Sequence, residues 1–255
     1  MPTDTLNIWT THSGSRKLES GDAGPLRSDR VDVWFLSLDQ DAGTLERSRA
    51  FLSREEIARS ERYIHEIDAK RYILAHGLMR ALLAEATGQH PEKVAFTFGK
   101  YKKPYVAGEY DVQFNLSDTK DALIIAMTSG EELGADIETM DRKVHHEDVA
   151  DHYFTEAEKK IIFENKENGK RRFLEFWTKK EALLKASGVG IMDDLKLLDT
   201  SKEHITIPIK HSEFREMAEP EYHIECFEYG EKHLLSIARS SEFKLIRLLS
   251  AEGLL

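Results

Sequence analysis

A repeated segment constrains the fold of this chain more than any other feature of its sequence. KRYILAHGLMRALLAEATG (residues 70–88) aligns without gaps on KRRFLEFWTKKEALLKASG (residues 170–188), and six of the nineteen positions are identical. Self-similarity at a fixed spacing is the signature of a duplicated structural unit. The repeat therefore predicts two similar units, each about 100 residues long.

The segments around the repeat predict what each unit contains. FLSREE (51–56) resembles YFTEAE (153–158), and the strand-like ALIIAMT (122–128) has a counterpart in HLLSIAR (233–239). We expect an α+β fold of two halves related by a pseudo-twofold axis. Ligand sites favour such junctions, so the active-site cleft is predicted between the halves. Coincidental amphipathicity of two unrelated helices is the alternative.

Composition and pattern set the predicted boundaries. Residues 1–29 are rich in Ser, Thr, Gly, Asp and Pro, so they are predicted to be a flexible leader. The alternating run VDVWFLSL, which begins at Val31, is typical of a strand. The N-terminal half is accordingly placed at 30–129 and the C-terminal half at 130–255.

Charge and apolar content argue against two classes of protein. The chain has 36 Lys and Arg against 46 Asp and Glu, a net charge of −10, which disfavours a general nucleic-acid-binding role. No apolar run approaches the roughly 18 residues that a membrane helix needs. The N-terminus lacks a secretory pattern, and Cys226 is the single cysteine. We therefore expect a cytoplasmic protein without membrane or nucleic-acid partners.

Two carboxylates on one predicted strand are the first candidates for chemistry. In LGADIE (133–138) apolar and polar residues alternate, so Asp136 and Glu138 point the same way, with Cα atoms about 7 Å apart. Such a pair needs solvent or a shared cation, and Mg²⁺ prefers all-oxygen sites. A solvated strand face is the alternative.

A predicted helix over the second repeat adds an acid and a base. Glu181 follows Trp177 of the apolar stripe by four residues, so it lies at the stripe's edge, where it could face a cleft. Lys185 follows Glu181 by four, so an ordinary surface ion pair is the alternative. The equivalent positions of the first repeat carry an alanine and a glutamate. Only the second repeat therefore carries this pair.

Small hydroxyls and basic side chains complete the candidate set. FNLSDTKDALIIAM (114–127) places a Ser-Asp-Thr turn before an apolar strand, and such a turn can bind phosphate, although Asp118 would oppose an anion. FGKYKKPYVAG (98–108) carries three lysines and a proline-fixed turn, and Arg59 and Arg71 lie in the first-half helices. Solvated surface charge is the alternative for each basic residue.

Together these motifs resemble the 4′-phosphopantetheinyl transferases of the surfactin-synthetase-activating (Sfp) type, over roughly residues 31–239. That family carries, in order, a KP turn, an N-[IVL]-S-H-[ST] segment, a G-x-D-[IV]-E strand and a F-W-x-x-K-E-[AS]-x-x-K-x-x-G-x-G-[IL] helix. The corresponding segments here are Lys103-Pro104, Phe114 to Thr119, Gly134 to Glu138 and Phe176 to Ile191. Pseudo-twofold halves are also a family property, in agreement with the repeat.

The resemblance implies an activity and a metal. The phosphopantetheine arm of coenzyme A would pass to a serine of an acyl or peptidyl carrier protein, with release of adenosine 3′,5′-bisphosphate. Mg²⁺, with Mn²⁺ as the alternative, would be held by Asp136, Glu138 and Glu181. Glu181 would also act as the base while Lys185 steadies or protonates the leaving group, two roles that the sequence does not separate. Fatty-acid, polyketide and nonribosomal-peptide carriers all stay open, and two fused halves favour a monomer.

The same positional match implies which residues contact coenzyme A. Arg59, Arg71 and Lys103 are expected at its phosphates. Ser117 is expected to contribute a hydroxyl to the 3′-phosphate, and Lys180 to lie near the pyrophosphate.

One position of the coenzyme A set departs from the family pattern. The family's histidine after N-x-S is Asp118 here. A carboxylate repels phosphate unless it is protonated, turned away or bridged by a base such as Lys120. Weaker coenzyme A binding, phosphate binding mainly by the other basic residues, and tolerance of dephospho-coenzyme A are the three open consequences.

Two other functions compete with this interpretation. A noncatalytic carrier- or nucleotide-binding module with a structural divalent metal site would lack the acid at 181 or the base at 185, and both are present. A different Mg²⁺-dependent phosphoryl transferase would carry a P-loop or a kinase-type Gly-rich loop, and neither pattern occurs.

Overall fold

The structure is a computed structural model that describes residues 5–13, 18–21, 23–143, 146–164, 167–190, 195–210 and 212–255, with the backbone alone at 146–148 and 213. Ile191, the last residue of the predicted helix motif, lies outside these residues. Within the described ranges, no helix is both long and apolar enough to span a membrane.

Twelve strands and seven α-helices make up the described chain. The strands are β1 (Thr5–Thr10), β2 (Glu19–Ser20), β3 (Arg30–Ser37), β4 (Phe96–Phe98), β5 (Pro104–Val106), β6 (Gln113–Asp118), β7 (Ala122–Thr128), β8 (Leu133–Thr139), β9 (His204–Pro208), β10 (Glu221–Tyr229), β11 (His233–Arg239) and β12 (Leu245–Ser250). The helices are α1 (Ala42–Ala50), α2 (Arg54–Ser60), α3 (Glu66–Thr87), α4 (His146–Tyr153), α5 (Glu156–Glu164), α6 (Gly169–Ser187) and α7 (Ser212–Met217). Short 3₁₀ helices cover Pro91–Lys93 and Leu195–Leu197.

Two five-stranded sheets confirm the predicted α+β fold of two similar halves. The first has the order β2-β12-β3-β7-β6 and the second β8-β11-β10-β1-β9. Each has one fully buried strand, β7 in the first and β11 in the second, which lies next to an edge strand and pairs antiparallel with both of its neighbours. The repeated segments form α3 and α6, which end alike at left-handed Gly88 and Gly188, with φ of 69° and 70°. The hairpin of β4 and β5 stands apart from both sheets.

The prediction of a flexible leader over residues 1–29 is wrong for Thr5–Thr10, which form β1. This strand pairs in parallel with β10 and antiparallel with β9, and Leu6 and Ile8 are fully buried. The ring of Trp9 stacks on that of His204 with centroids 3.8 Å apart. Alternating burial of Leu6, Ile8 and Thr10 is an ordinary strand pattern that the polar surroundings obscured.

The two ends of the chain depart from the predicted division at 129/130. β1, from the N-terminus, belongs to the sheet of the second half, and β12, from the C-terminus, belongs to the sheet of the first. Both run parallel to their neighbours, β10 and β3. The repeat contains no terminal strand, and pairing between distant segments leaves no local pattern in the sequence. The halves are therefore tied together at both termini.

Helix α6 packs directly on β8 at Gly134. A Cβ atom at this position would lie 2.0 Å from the carbonyl oxygen of Ala182 and 2.3 Å from the backbone nitrogen of Ala186. Only a residue without a side chain allows this approach. The contact places the face of α6 that carries Glu181 and Lys185 over the carboxylates of β8.

A buried ionic network stabilises the N-terminal half of α6. Glu175 is fully buried and accepts hydrogen bonds from Lys179 at 3.0 Å, Arg172 at 2.7 Å and the Ser13 hydroxyl at 3.1 Å, and its carboxylate lies 3.1 Å from the ring nitrogen of His12. Burial alone would raise the pKa of Glu175, but Lys179, Arg172 and His12 outweigh it and lower the pKa to about 2. The network also anchors the chain just after β1.

Glu175→Gln is expected to lower the free energy of unfolding at pH 7 by about 3 kcal/mol, because the ammonium of Lys179 stays buried without its counter-charge. The folded-state pKa of Glu175 lies below its ordinary value of 4.5. Its stabilising contribution is therefore present above about pH 4.5 and is lost as the pH falls towards 2. Urea unfolding at pH 7 and pH 3 checks this, since the deficit of the variant should shrink at pH 3.

Glu164→Gln provides the matched control for this prediction. Glu164 is exposed and lies 3.6 Å from Lys160 on α5, so its loss should cost under about 1 kcal/mol. Equal destabilisation by the two variants would contradict the buried network.

Candidate functional site

A polar cavity of about 330 Å³ lies where β6, β8 and α6 come together. Six of the residues that the sequence predicted line it, from both halves of the chain. They are Ser117, Asp118, Asp136, Glu138, Glu181 and Lys185. The other lining residues are Leu116, Arg142, Tyr153, Trp177 and Leu195. The cavity is called the cleft below.

Asp136 stands at the centre of the charged groups in the cleft. Its Oδ1 accepts hydrogen bonds from Lys185 Nζ at 2.6 Å and from Ser117 Oγ at 2.8 Å. Its Oδ2 is buried and has no hydrogen-bond partner among the described residues. An orphaned buried carboxylate oxygen costs free energy, so this atom is suited to a cation that enters the cleft.

Glu138 lies two residues further along the same face of β8, as the alternating pattern predicted. One of its oxygens pairs with the guanidinium of Arg142, and the other accepts a hydrogen bond from Thr119 Oγ1 at 3.2 Å. Arg142 in turn lies over the ring of Trp177, 5.3 Å from its centroid. A base therefore already neutralises Glu138.

Glu181 faces the cleft from α6 and accepts no hydrogen bond from the described part of the chain. Burial raises its pKa, and the nearby charge of Asp136 raises it further, while Lys185 and Arg142 act in the opposite direction. Lys185 does not form the ordinary i,i+4 pair with Glu181, because its ammonium binds Asp136, Ser117 Oγ at 3.0 Å and the carbonyl of Ala135 at 3.1 Å. A carboxylate with a raised pKa and no partner can accept a proton in a reaction.

Asp118 forms an ion pair with Arg71, whose Nε lies 3.1 Å from its carboxylate. Burial raises the pKa of Asp118, and the charges of Arg71 and Lys185 oppose that rise. The bridging base is thus Arg71, whereas the sequence suggested Lys120. Arg71 also binds Asp68 at 2.8 Å. Asp118, which departs from the family pattern, therefore forms an ion pair with Arg71, one of the basic residues expected at a phosphate of coenzyme A.

Two lysines expected at coenzyme A have buried partners in the structure, and their contact with coenzyme A stays a prediction. Lys103 is buried, and its ammonium binds Glu132 at 2.8 Å and the carbonyls of Leu133 and Ala186 at 3.2 Å each. It therefore ties the KP turn to the start of β8 and the end of α6. Burial lowers its pKa, while Glu132 acts in the opposite direction.

Lys180 lies behind the wall of the cleft. Its side chain is 1% exposed, and its ammonium binds Glu158 at 2.6 Å and the carbonyls of Tyr153 and Leu195 at 2.7 and 3.1 Å. Burial lowers its pKa, and Glu158 opposes that effect. All of its hydrogen-bonding capacity is used in the structure, so Lys180 supports the wall of the cleft. Its expected position near the pyrophosphate stays a prediction. A charge in the sequence does not reveal such buried partners.

Arg59 lies outside the cleft, in a separate cavity of about 570 Å³ that is also lined by Arg62, Tyr72 and Phe96. Its guanidinium sits over the ring of Tyr72, 5.3 Å from the centroid. Its contact with a coenzyme A phosphate stays a prediction.

The sequence patterns did not indicate that Arg142, Trp177 and Tyr153 would line the cleft. Arg142 follows Glu138 by four residues, and this spacing was the only signal that it would reach the same site. Trp177 belongs to the apolar stripe of the helix, and this pattern predicts a core position. Tyr153, at the end of α4, packs edge-on against Trp177 with ring centroids 5.6 Å apart.

The residues of the cleft fit a divalent cation only after a rearrangement. Among the described residues, no group of three or more His, Cys, Asp or Glu side chains is close enough together to hold a metal ion. Lys185 and Arg142 hold two of the three predicted carboxylates in place of a metal. The orphaned Asp136 oxygen and the partnerless Glu181 are nevertheless hard oxygen donors of the kind that Mg²⁺ prefers. The three carboxylates therefore fit Mg²⁺ once Lys185 releases Asp136 and Arg142 releases Glu138.

Two family models match the chain. The model of the 4′-phosphopantetheinyl transferase superfamily matches residues 132–238, and the model described as 4′-phosphopantetheinyl transferase, N-terminal, matches residues 41–130. The boundary between them lies close to the predicted junction of the halves. The segment that matches the first model includes Asp136, Glu138, Glu181 and Lys185.

Individual relatives agree with the family models. The chain is 29% identical over 184 residues to the 4′-phosphopantetheinyl transferase HetI of Nostoc sp., which covers 70% of this chain and 78% of that protein. It is 27% identical over 235 residues to the 4′-phosphopantetheinyl transferase ffp of Bacillus subtilis, which covers 88% of this chain and 100% of the relative. It is also 27% identical over 173 residues to the 4′-phosphopantetheinyl transferase Sfp of Bacillus subtilis, with 66% and 76% covered.

Proposed function

Because the chain belongs to the 4′-phosphopantetheinyl transferase superfamily, we propose that it is an Mg²⁺-dependent enzyme of the Sfp type. It transfers the phosphopantetheine arm of coenzyme A to a serine hydroxyl of an acyl or peptidyl carrier protein and releases adenosine 3′,5′-bisphosphate. The observation that carries this proposal is the gathering of Asp136, Glu138, Glu181 and Lys185 in one cleft. A noncatalytic binding module would not need a partnerless acid beside a lysine.

Asp136, Glu138 and Glu181 are the residues that would hold Mg²⁺. When bound, the cation neutralises charge on the pyrophosphate oxygens of coenzyme A. Lys185 and Arg142, which bind Asp136 and Glu138 in the structure, would give up these carboxylates to a bound cation. Both bases lie in the cleft and can then bind phosphate oxygens.

Glu181 is the group we assign to accept the proton of the attacking serine. Its raised pKa and its freedom from hydrogen bonds in the described chain suit a general base. Lys185 supplies positive charge to the leaving bisphosphate, because its ammonium lies at the cleft, one helical turn from Glu181. Trp177 and Tyr153 pack edge-on against each other and form the aromatic part of the cleft wall.

Both walls of the cleft come from one chain, so a monomer is sufficient for the reaction. We propose that the enzyme works in the cytoplasm, without nucleic-acid or membrane partners, on a carrier that docks beside the cleft through a transient interface. The cleft residues do not discriminate between fatty-acid, polyketide and nonribosomal-peptide carriers.

Nucleotide chromatography tests the reaction and its metal requirement together. With an apo carrier, coenzyme A and Mg²⁺, we expect one equivalent of adenosine 3′,5′-bisphosphate for each carrier modified. EDTA should stop the reaction, and excess Mg²⁺ or Mn²⁺ should restore it. Release of a different nucleotide, or full activity in EDTA, would contradict the proposal.

Asp118→His is expected to lower the KM for coenzyme A about 3- to 10-fold with little change in kcat. The substitution removes a negative charge from the cleft and releases Arg71, which lies 3.1 Å from Asp118. Steady-state kinetics with varied coenzyme A checks this, and Asp118→Asn separates loss of charge from gain of an imidazole. An unchanged or raised KM for both variants would show that Asp118 does not oppose the phosphate.

A further inference from the structure

The two sheets meet at edge strands. β6 ends the first sheet and β8 ends the second, and the two are not paired by backbone hydrogen bonds. An edge strand leaves every second backbone N–H without a partner, and burying such a group unsatisfied costs free energy. The outer N–H groups of β8 therefore need acceptors from β6.

Three side chains at alternate positions of the first half supply those acceptors. Asn115 Oδ1 accepts the N–H of Ala135 at 3.0 Å, and Ser117 Oγ accepts the N–H of Ile137 at 3.4 Å. Thr119 Oγ1, directly after β6, accepts the N–H of Thr139 at 3.3 Å. All three acceptor side chains are buried. We call Asn115, Ser117 and Thr119 the side-chain ladder.

The two hydroxyls of the side-chain ladder also bind the carboxylates of the cleft. Ser117 donates its hydrogen to Asp136 at 2.8 Å, and Thr119 donates its hydrogen to Glu138 at 3.2 Å. Each hydroxyl thus accepts a hydrogen bond from the backbone of β8 and donates one to a side chain of the same strand.

Ser117 has no remaining capacity for a ligand. A hydroxyl has one hydrogen and two lone pairs. Its hydrogen goes to Asp136, and its lone pairs accept from the Ile137 N–H and from Lys185 Nζ at 3.0 Å. The expected bond from Ser117 to the 3′-phosphate of coenzyme A would require breaking the bond to Asp136.

Resting on the function proposed above, we propose that Asn115, Ser117 and Thr119 are positioning residues of the transferase. They fix the register of β8 against the first half and hold Asp136 and Glu138 at the cleft. Ser117 therefore acts through Asp136.

Amide hydrogen exchange of the unliganded protein tests the side-chain ladder without any assay of function. In Ser117→Ala and Thr119→Val, the amides of Ile137 and Thr139 respectively should exchange about 5- to 10-fold faster. Thr119→Ser keeps the hydroxyl and should restore protection. Thr128→Val is the matched control, because the buried Thr128 hydroxyl bonds only backbone carbonyls away from β8. Exchange unchanged from wild type in both ladder variants would overturn the proposal.

Kinetics separates positioning from phosphate binding. For Ser117→Ala we expect kcat to fall about 10-fold while the KM for coenzyme A stays within about twofold. A raised KM with unchanged kcat would overturn the assignment and make Ser117 a phosphate ligand. Failure of the proposed function would appear in the wild type, as absent or metal-independent transfer, whereas failure of the side-chain ladder would appear in the exchange data.

Discussion

Gly134→Ala is expected to lower the free energy of unfolding by about 4 kcal/mol and to remove most of the activity. The new Cβ would lie 2.0 Å from the carbonyl oxygen of Ala182 and 2.3 Å from the backbone nitrogen of Ala186. These are backbone atoms of α6, which cannot turn aside as a flexible side chain can. The helix must therefore shift off β8, and it carries Glu181 and Lys185 with it.

Urea unfolding and carrier modification, measured on the same preparation, check the effect of Gly134→Ala. Gly24→Ala is the matched control, because a Cβ at position 24 meets no atom within 4 Å. It should change stability by less than about 0.5 kcal/mol and leave turnover intact. If Gly134→Ala behaved like this control, the close approach of α6 to β8 would be contradicted.

Glu181→Gln is expected to reduce kcat by about 10²- to 10⁴-fold without lowering stability. Burial and the charge of Asp136 raise the pKa of Glu181 above its ordinary value of 4.5. At pH values above 4.5 the charged carboxylate therefore lowers the stability of the folded protein. An amide of the same shape removes that cost. The predicted result is an inactive enzyme that is as stable as the wild type at pH 7, or more stable.

Single-turnover kinetics and urea unfolding at pH 7 measure the two effects of Glu181→Gln. Glu85→Gln on α3 is the matched control, because Glu85 is exposed on the equivalent helix of the other half. It should change neither quantity. A Glu181→Gln enzyme that was destabilised by several kcal/mol, or that kept wild-type turnover, would contradict the role assigned to this residue.

Local patterns in the sequence predicted the frame of the site correctly. The repeat identified α3 and α6 as equivalent because both helices follow the same apolar pattern and end at a glycine in the left-handed region. The alternation in LGADIE placed Asp136 and Glu138 on one face of β8, since the side-chain period of a strand is two. The spacing from Trp177 placed Glu181 at the edge of the buried stripe, and it does line the cleft.

Contacts between distant segments were not visible in the sequence. The exchange of β1 and β12 between the sheets depends on pairing across almost the whole chain. The buried partners of Lys103 and Lys180 were not visible either, because the sequence shows a charge but not the carbonyls and carboxylates that bind it. The same limit concealed the pairing of Arg71 with Asp118.

Intact-mass spectrometry of an apo carrier protein, incubated with the enzyme, coenzyme A and Mg²⁺, tests the central claim most directly. We predict that the carrier gains the mass of one phosphopantetheine group, and that this gain is absent with Glu181→Gln or without metal. No gain with acyl and peptidyl carriers alike, or a gain that persists with Glu181→Gln and EDTA, would contradict the catalytic site proposed between the two halves.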